Sequence, residues 1–188
     1  MTRAFIAVDL DDATRRALGQ LTRRVAQALP TARTVGPETL HVTLAFLGEQ
    51  DDAGIAGAIA AAREAARGAA PFTLRAGHIG VFGPDHAPRV IWVALDGQVE
   101  RLRALQRTLA QALDTREVWW DNAKPFAPHL TLARLKSPLD TPAAAELAKL
   151  RAEPPRAASW TVAEMRVMRS ETLPDGARYT PLAVIPFA

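Results

Sequence analysis

Two histidines in this chain stand two residues before a threonine inside a short apolar run, in Leu40-His41-Val42-Thr43-Leu44-Ala45-Phe46-Leu47 and Pro128-His129-Leu130-Thr131-Leu132-Ala133-Arg134-Leu135. The two segments are identical at five of eight positions. Side chains at i and i+2 of a strand point the same way, so each histidine shares a face with its threonine. Brought together, the pairs offer two imidazoles and two hydroxyls. That set suits in-line displacement at phosphorus: a neutral ring takes a proton from the attacking oxygen, and a protonated ring gives one to the leaving oxygen. An ordinary histidine pKa of about 6.5 lets both forms coexist near neutrality. Threonine hydroxyls can bond the non-bridging phosphate oxygens. The plainer reading is two hydrogen-bonded histidines retained after a duplication. A His/His metal site is a third, although zinc wants about three or four ligands and the motifs supply only a pair. His78 and His86 lack a threonine partner and read as a strand histidine and an exposed loop histidine without a catalytic role.

The elements that must position these residues occur in two copies. Phe5 to Val8 is a short apolar run, followed by Leu18, Leu21, Val25 and Leu29 on one helical face. Val90 to Leu95 repeats the run, and Leu102, Leu105, Leu109 and Leu113 repeat the face. After each His-x-Thr strand comes an Ala-rich helix, over 52–67 and 141–150, and then a strand, over 72–82 and 160–170. The pattern predicts one two-lobed domain over residues 1–188, with an internal β-α-β-α-β repeat at 3–82 and 89–171 and an extra strand at 179–187. Pro181 and Pro186 fit that last strand to an edge. Two similar lobes facing each other across a pseudo-twofold axis make the simplest geometry. Gly83 to Pro88, rich in residues that break both periods, reads as the crossover between them. Thr115 to Pro128 is the longest irregular stretch of the second copy, and long loops in compact domains tend to serve function. The fold class expected is α+β: two pseudo-symmetric lobes, each a small, largely antiparallel sheet backed by two helices, with a central cleft over the His-x-Thr pairs.

Composition narrows the function classes. With 48% hydrophobic and 23% charged residues the chain is an ordinary folded domain. It has no cysteine, which removes disulfides and thiolate metal sites. Its longest uncharged stretch, Ala53 to Ala62, is about half of the roughly 20 residues that span a bilayer. No membrane association is expected, and the early run of Asp9, Asp11 and Asp12 does not suit a signal peptide. The cytoplasm is the expected compartment. Lys+Arg at 23 against Asp+Glu at 20 gives a net charge of +3, too small an excess to declare a nucleic-acid binder.

These residues resemble the 2H phosphoesterase superfamily, which is defined by two His-x-Thr motifs in two pseudo-symmetric lobes, and within it the LigT-like RNA 2',3'-cyclic phosphodiesterases. The resemblance covers nearly the whole chain. Arg3 to Val8 is similar to the opening strand, Leu40 to Gly48 to the first motif and Pro88 to Val93 to the central strand. Lys124 to Arg134 is similar to the second motif, and Arg169-Ser170 through Gly176-Ala177-Arg178-Tyr179 to the C-terminal region. It implies hydrolysis of a terminal 2',3'-cyclic phosphate on RNA to a 2'-phosphate, without metal or cofactor. His41 would be the acid at the leaving oxygen and His129 the base on water, or the reverse. RNA 3' ends bearing the cyclic phosphate, including tRNA halves, would be the partners, and a monomer is expected. Thr43 and Thr131 would hold the phosphate, and the family pattern adds Arg134. Strand parity opposes Arg134: His129, Thr131 and Ala133 share one face, which leaves Arg134 on the other unless a bulge turns it. Trp119, Trp120 and Phe126 are candidates for stacking on a base or ribose, or else plugs between the lobes. Phe46, at the position of Arg134 in the first copy, reads as core.

Two alternatives remain at this level. A non-catalytic nucleotide or RNA-end binding module would keep the site without turnover. A 2'-5' RNA ligase acting on tRNA halves would yield a joined product.

Overall fold

The chain was analysed as a computed structural model that describes residues 1–153, 158–174 and 176–188, so residues 154–157 of the second copy and Asp175 of the C-terminal region lie outside the described residues. Its elements run β1 (Thr2–Val8), α1 (Asp12–Ala28), β2 (Arg33–Thr34), β3 (Val42–Gln50), α2 (Asp52–Ala66), β4 (Phe72–Phe82), β5 (Val90–Gly97), α3 (Val99–Thr115), β6 (His129–Arg134), α4 (Thr141–Ala152), β7 (Ser159–Val162), β8 (Glu164–Leu173) and β9 (Gly176–Pro186). The helices begin where the sequence provides acceptors. Asp11, Asp51 and Asp140 each accept a hydrogen bond from a backbone N–H three residues on, at Thr14, Gly54 and Ala143. Leu18, Leu21 and Val25 of α1 and Leu102, Leu105, Leu109 and Leu113 of α3 are all buried. On α2 the buried face is built of alanines, Ala58, Ala61, Ala62, Ala65 and Ala66, which lets α3 pack close against it.

Two antiparallel sheets result. The first has the order β3-β1-β8-β9 and the second β2-β6-β5-β4-β7. The α+β class, the two sheets and the two helices behind each agree with expectation. The copies and the sheets, however, do not coincide. β8, the third strand of the second copy, pairs with β1 of the first, while β4, the third strand of the first copy, pairs with β5 of the second. Helices follow the same exchange: α2 and α3 pack behind the first sheet, α1 and α4 behind the second. Gly83 to Pro88 is consequently no crossover between lobes. It closes a hairpin inside the second sheet, because β4 and β5 are antiparallel neighbours there. The expected strand at 160–170 is divided at Ala163 into β7 and β8, one in each sheet. β9 is the edge strand that Pro181 and Pro186 suggested. One continuous apolar core joins both layers.

Candidate active site

β3 and β6 adjoin where the two sheets meet; β6 carries one motif, and the other straddles the start of β3, with His41 one residue before the strand. Leu130 and Leu132 of β6, like Val42 and Leu44 of β3, are buried against the helices, so the alternate residues turn outward. His41, Thr43, His129 and Thr131 are half-buried on that outward face. β3 and β6 touch, and the His129 charge is among those that act on His41, so the two imidazoles lie near one another, each sharing a face with its threonine.

Both imidazoles are held alike. His41 Nδ1 lies 2.7 Å from the carbonyl oxygen of Thr39, and His129 Nδ1 lies 2.7 Å from that of Ala127, in each case two residues earlier. A carbonyl only accepts, so Nδ1 carries the hydrogen in both rings and Nε2 is left for chemistry. Nε2 of His41 is 3.0 Å from the Thr43 hydroxyl, which donates to the neutral ring. Aromatic rings fix the imidazole planes from the side. Phe5 stacks on His41 at 4.7 Å between centroids, and Tyr179 meets it edge-on at 5.2 Å. Phe82 meets His129 edge-on at 4.9 Å, with Trp92 behind at 6.3 Å.

Charge separates the two rings. Burial holds the His41 pKa below its ordinary value, opposed by the Thr39 carbonyl and the Asp9 carboxylate, with the His129 and Arg15 charges lowering it further. His129 is also lowered, by burial first and by the Arg134 guanidinium as well, against the Ala127 carbonyl. Asp9 is half-buried and held by Arg15 and by Arg166, whose Nη1 donates to Asp9 Oδ2 at 2.6 Å. A cavity of about 160 Å³ opens beside His41, lined among others by Phe5, Asp9, Glu38, Met168 and Tyr179.

A bulge places Arg134 on the face of His129 and Thr131, against simple strand parity. In the β5–β6 register Trp92 pairs with Thr131 and Ile91 with Ala133, so Leu132 is an extra residue and β6 is bulged there. Leu132 and Ala133 are both buried, and Arg134 emerges on the face of His129 and Thr131. Its charge acts on both His129 and Tyr179. β3 carries the same bulge: Ile6 pairs with Ala45 and Ala7 with Thr43, which skips Leu44. That brings Phe46 onto the site face, half-buried, with the Arg3 guanidinium 4.8 Å from its centroid. The expectation that Phe46 is core fails for this reason.

The loop aromatics divide. Trp120 and Phe126 pack against the apolar core, and Trp120 Nε1 donates to Asp114 at 2.8 Å. Trp119 is 60% exposed and lies over Gly48, whose left-handed φ of 63° and missing Cβ leave room for the ring. His78 and His86 are an exposed strand histidine and an exposed loop histidine, the former edge-on to Trp92. Sequence reasoning passed over Phe5, Tyr179, Phe82 and Trp92 as site residues. Parity could have found Phe5 once β1 was set beside β3. The same reasoning reaches Trp92, which pairs with Thr131 once β5 is set beside β6, whereas Phe82 and Tyr179 depend on the exchanged strands β4 and β8. Among the described residues no group of three or more His, Cys, Asp or Glu side chains is placed to hold a metal ion, and no helix is long and apolar enough to cross a membrane.

Comparison with known proteins supports the same grouping. Residues 10–173 match the model of the 2'-5' RNA ligase superfamily. The chain is 31% identical over 182 residues to an RNA 2',3'-cyclic phosphodiesterase of Methanothermobacter thermautotrophicus, covering 97% of each protein. The crystal structure of TT0787 of Thermus thermophilus superposes with a TM-score of 0.82 at 31% identity, covering 98% of this chain and 97% of that one. E. coli LigT complexed with 3'-AMP gives a TM-score of 0.79 at 28% identity, with coverage of 100% and 98%. With both His-x-Thr strands, their shared bulges and nearly full-length matches in sequence and fold, the chain belongs to the 2'-5' RNA ligase superfamily.

Proposed function

We propose that this protein hydrolyses the terminal 2',3'-cyclic phosphate of RNA to a 2'-phosphate. The observation that carries the reading is the matched pair of imidazoles, each committed through Nδ1 to a carbonyl and each presenting Nε2 to one site. Water attacks phosphorus as His129 Nε2 takes its proton; the P–O3' bond breaks, and the proton on His41 Nε2 passes to the departing 3'-oxygen. Nearby charge supports this assignment, although burial, Arg15 and His129 all act against the protonated form of His41. Asp9 favours the protonated form of His41, whereas Arg134 opposes protonation of His129. Thr43 keeps His41 Nε2 occupied until the leaving oxygen takes its place. Arg134 and Thr131 bond the non-bridging oxygens as charge builds on them. Names of the relatives support the substrate class.

The test is turnover of adenosine 2',3'-cyclic phosphate in excess EDTA, with 2'- and 3'-phosphate products separated. A 2'-phosphate is expected, and His41→Ala or His129→Ala should each cost roughly 10²–10⁴-fold in kcat. Tight nucleotide binding without turnover would replace the hydrolase with a binding module. Incubation with paired tRNA halves in the same series would reveal 2'-5' joining.

A further inference from the structure

The hydrolytic reading employs both imidazoles, both threonines and Arg134, and leaves Arg3 without a role. Arg3 shares the face of Phe5, two residues along β1, and Phe5 stacks on His41. The Arg3 guanidinium lies over Phe46, the counterpart of Arg134 in the other sheet. Such a contact fixes the head of the side chain without neutralising it. Glu49 stands opposite Arg3 in the β1–β3 register, yet neither Arg3 nor Arg134 makes an ion pair among the described residues. Both guanidiniums act on the Tyr179 hydroxyl, whose pKa burial raises and they lower. Arg134 also acts on His129, while the charges bearing on the imidazoles come from Asp9, Arg15, Arg134 and His129 itself. Two guanidiniums without an ion pair among the described residues therefore bear on Tyr179: Arg134 on the face of His129, and Arg3, two residues from Phe5 on β1, over Phe46.

We propose that Arg3, held over Phe46, binds the phosphodiester one nucleotide upstream of the cyclic phosphate, so that the site takes an RNA chain in preference to a mononucleotide. The inference rests on the hydrolytic reading above. A guanidinium fork matches a phosphodiester without regard to base, which suits an enzyme that meets many RNA ends.

The experiment compares kcat/KM for adenosine 2',3'-cyclic phosphate with that for ApA bearing a 2',3'-cyclic phosphate, which adds one internal phosphodiester. The native protein should favour the dinucleotide by about tenfold or more. The advantage should shrink with rising salt. Arg3→Ala should bring the ratio near one, and Arg3→Lys should retain part of it. Since the ratio is taken within each variant, loss of folded protein cancels. A dinucleotide with an uncharged methylphosphonate at the internal linkage separates charge from stacking of the second base, and the native advantage should vanish with it. An advantage that survives Arg3→Ala or the methylphosphonate, or is missing in the native protein, overturns the subsite while hydrolysis stands. If the native protein turns over neither substrate, the hydrolytic reading falls. Calorimetric affinities for the mono- and dinucleotide 2'-phosphates then decide the subsite by the same ratio.

Discussion

Replacing Gly80 with alanine tests the support behind His129. Gly80 lies on β4 opposite Trp92, and an ideal Cβ there would sit 2.3 Å from both Cη2 and Cζ2 of the indole and 2.7 Å from Cζ3. Carbon atoms pack at about 3.5–4.0 Å, so the ring must retreat by roughly 1 Å or more. Overpacking of this kind costs about 1–3 kcal/mol. The opposing gain, from a less flexible unfolded chain, is only about 0.4–1 kcal/mol. The clash therefore wins, and Gly80→Ala is expected to lower stability by roughly 1 kcal/mol or more, read as a lower urea midpoint at unchanged m. The three crowded atoms belong to the outer indole ring, which phenylalanine lacks. Trp92 Nε1 has no partner among the described residues, so Trp92→Phe forfeits no hydrogen bond. In that background Gly80→Ala should be neutral or stabilising, giving a coupling of about 1–3 kcal/mol in the double-mutant cycle. Trp92 also pairs with Thr131 and adjoins His129, and a displacement of about 1 Å can cost on the order of 10² in kcat. An equal cost of Gly80→Ala in both backgrounds would refute the packing argument.

Two further predictions concern protons. Arg134 lowers the His129 pKa, so Arg134→Gln should raise it, and the acid limb of the kcat/KM profile, which reports the free enzyme's base, should move to higher pH. Profiles between about pH 5 and 8 that superpose for the two proteins would exclude that role. Both folded histidine pKa values lie below the unfolded value of about 6.5, so the unfolded chain binds more protons as the pH falls. Their contribution to stability is whole above about 6.5 and is lost as pH drops through the lowered values. Urea unfolding across that range should show native stability falling more steeply than that of the His41→Gln/His129→Gln variant, and parallel slopes would contradict it.

Much of this site could be read from spacing alone. His-x-Thr inside alternating apolar residues places His41 with Thr43 and His129 with Thr131 on outward faces, and the leucine spacing of α1 and α3 fixes the buried helical stripes. Arg134 could not be placed that way. The skipped Leu132 is apolar like its neighbours, and only its partners on β5 reveal that the ladder gains a residue there. Tyr179 and Phe82 were invisible for another reason: a local pattern says that a segment is a strand but not which sheet receives it. Spacing also left the loop aromatics open between stacking and plugging. Trp120 and Phe126 have the composition of a binding loop, yet both are half-buried against the core, while Trp119 is exposed.

The exchanged strands and helices bear on how the cleft can move. From β1 to α1, from β2 to β3, from α2 to β4, from β5 to α3, from α3 to β6 and from β7 to β8, the backbone steps from one layer to the other. A molecule of two consecutive lobes would pivot on a single linker. Here rotation of one layer would strain all of those passages together, so the separation of the two imidazoles is expected to resist hinge-like opening. In the reaction proposed above, the two imidazoles would then hold their spacing before a substrate binds instead of acquiring it by closure of the cleft.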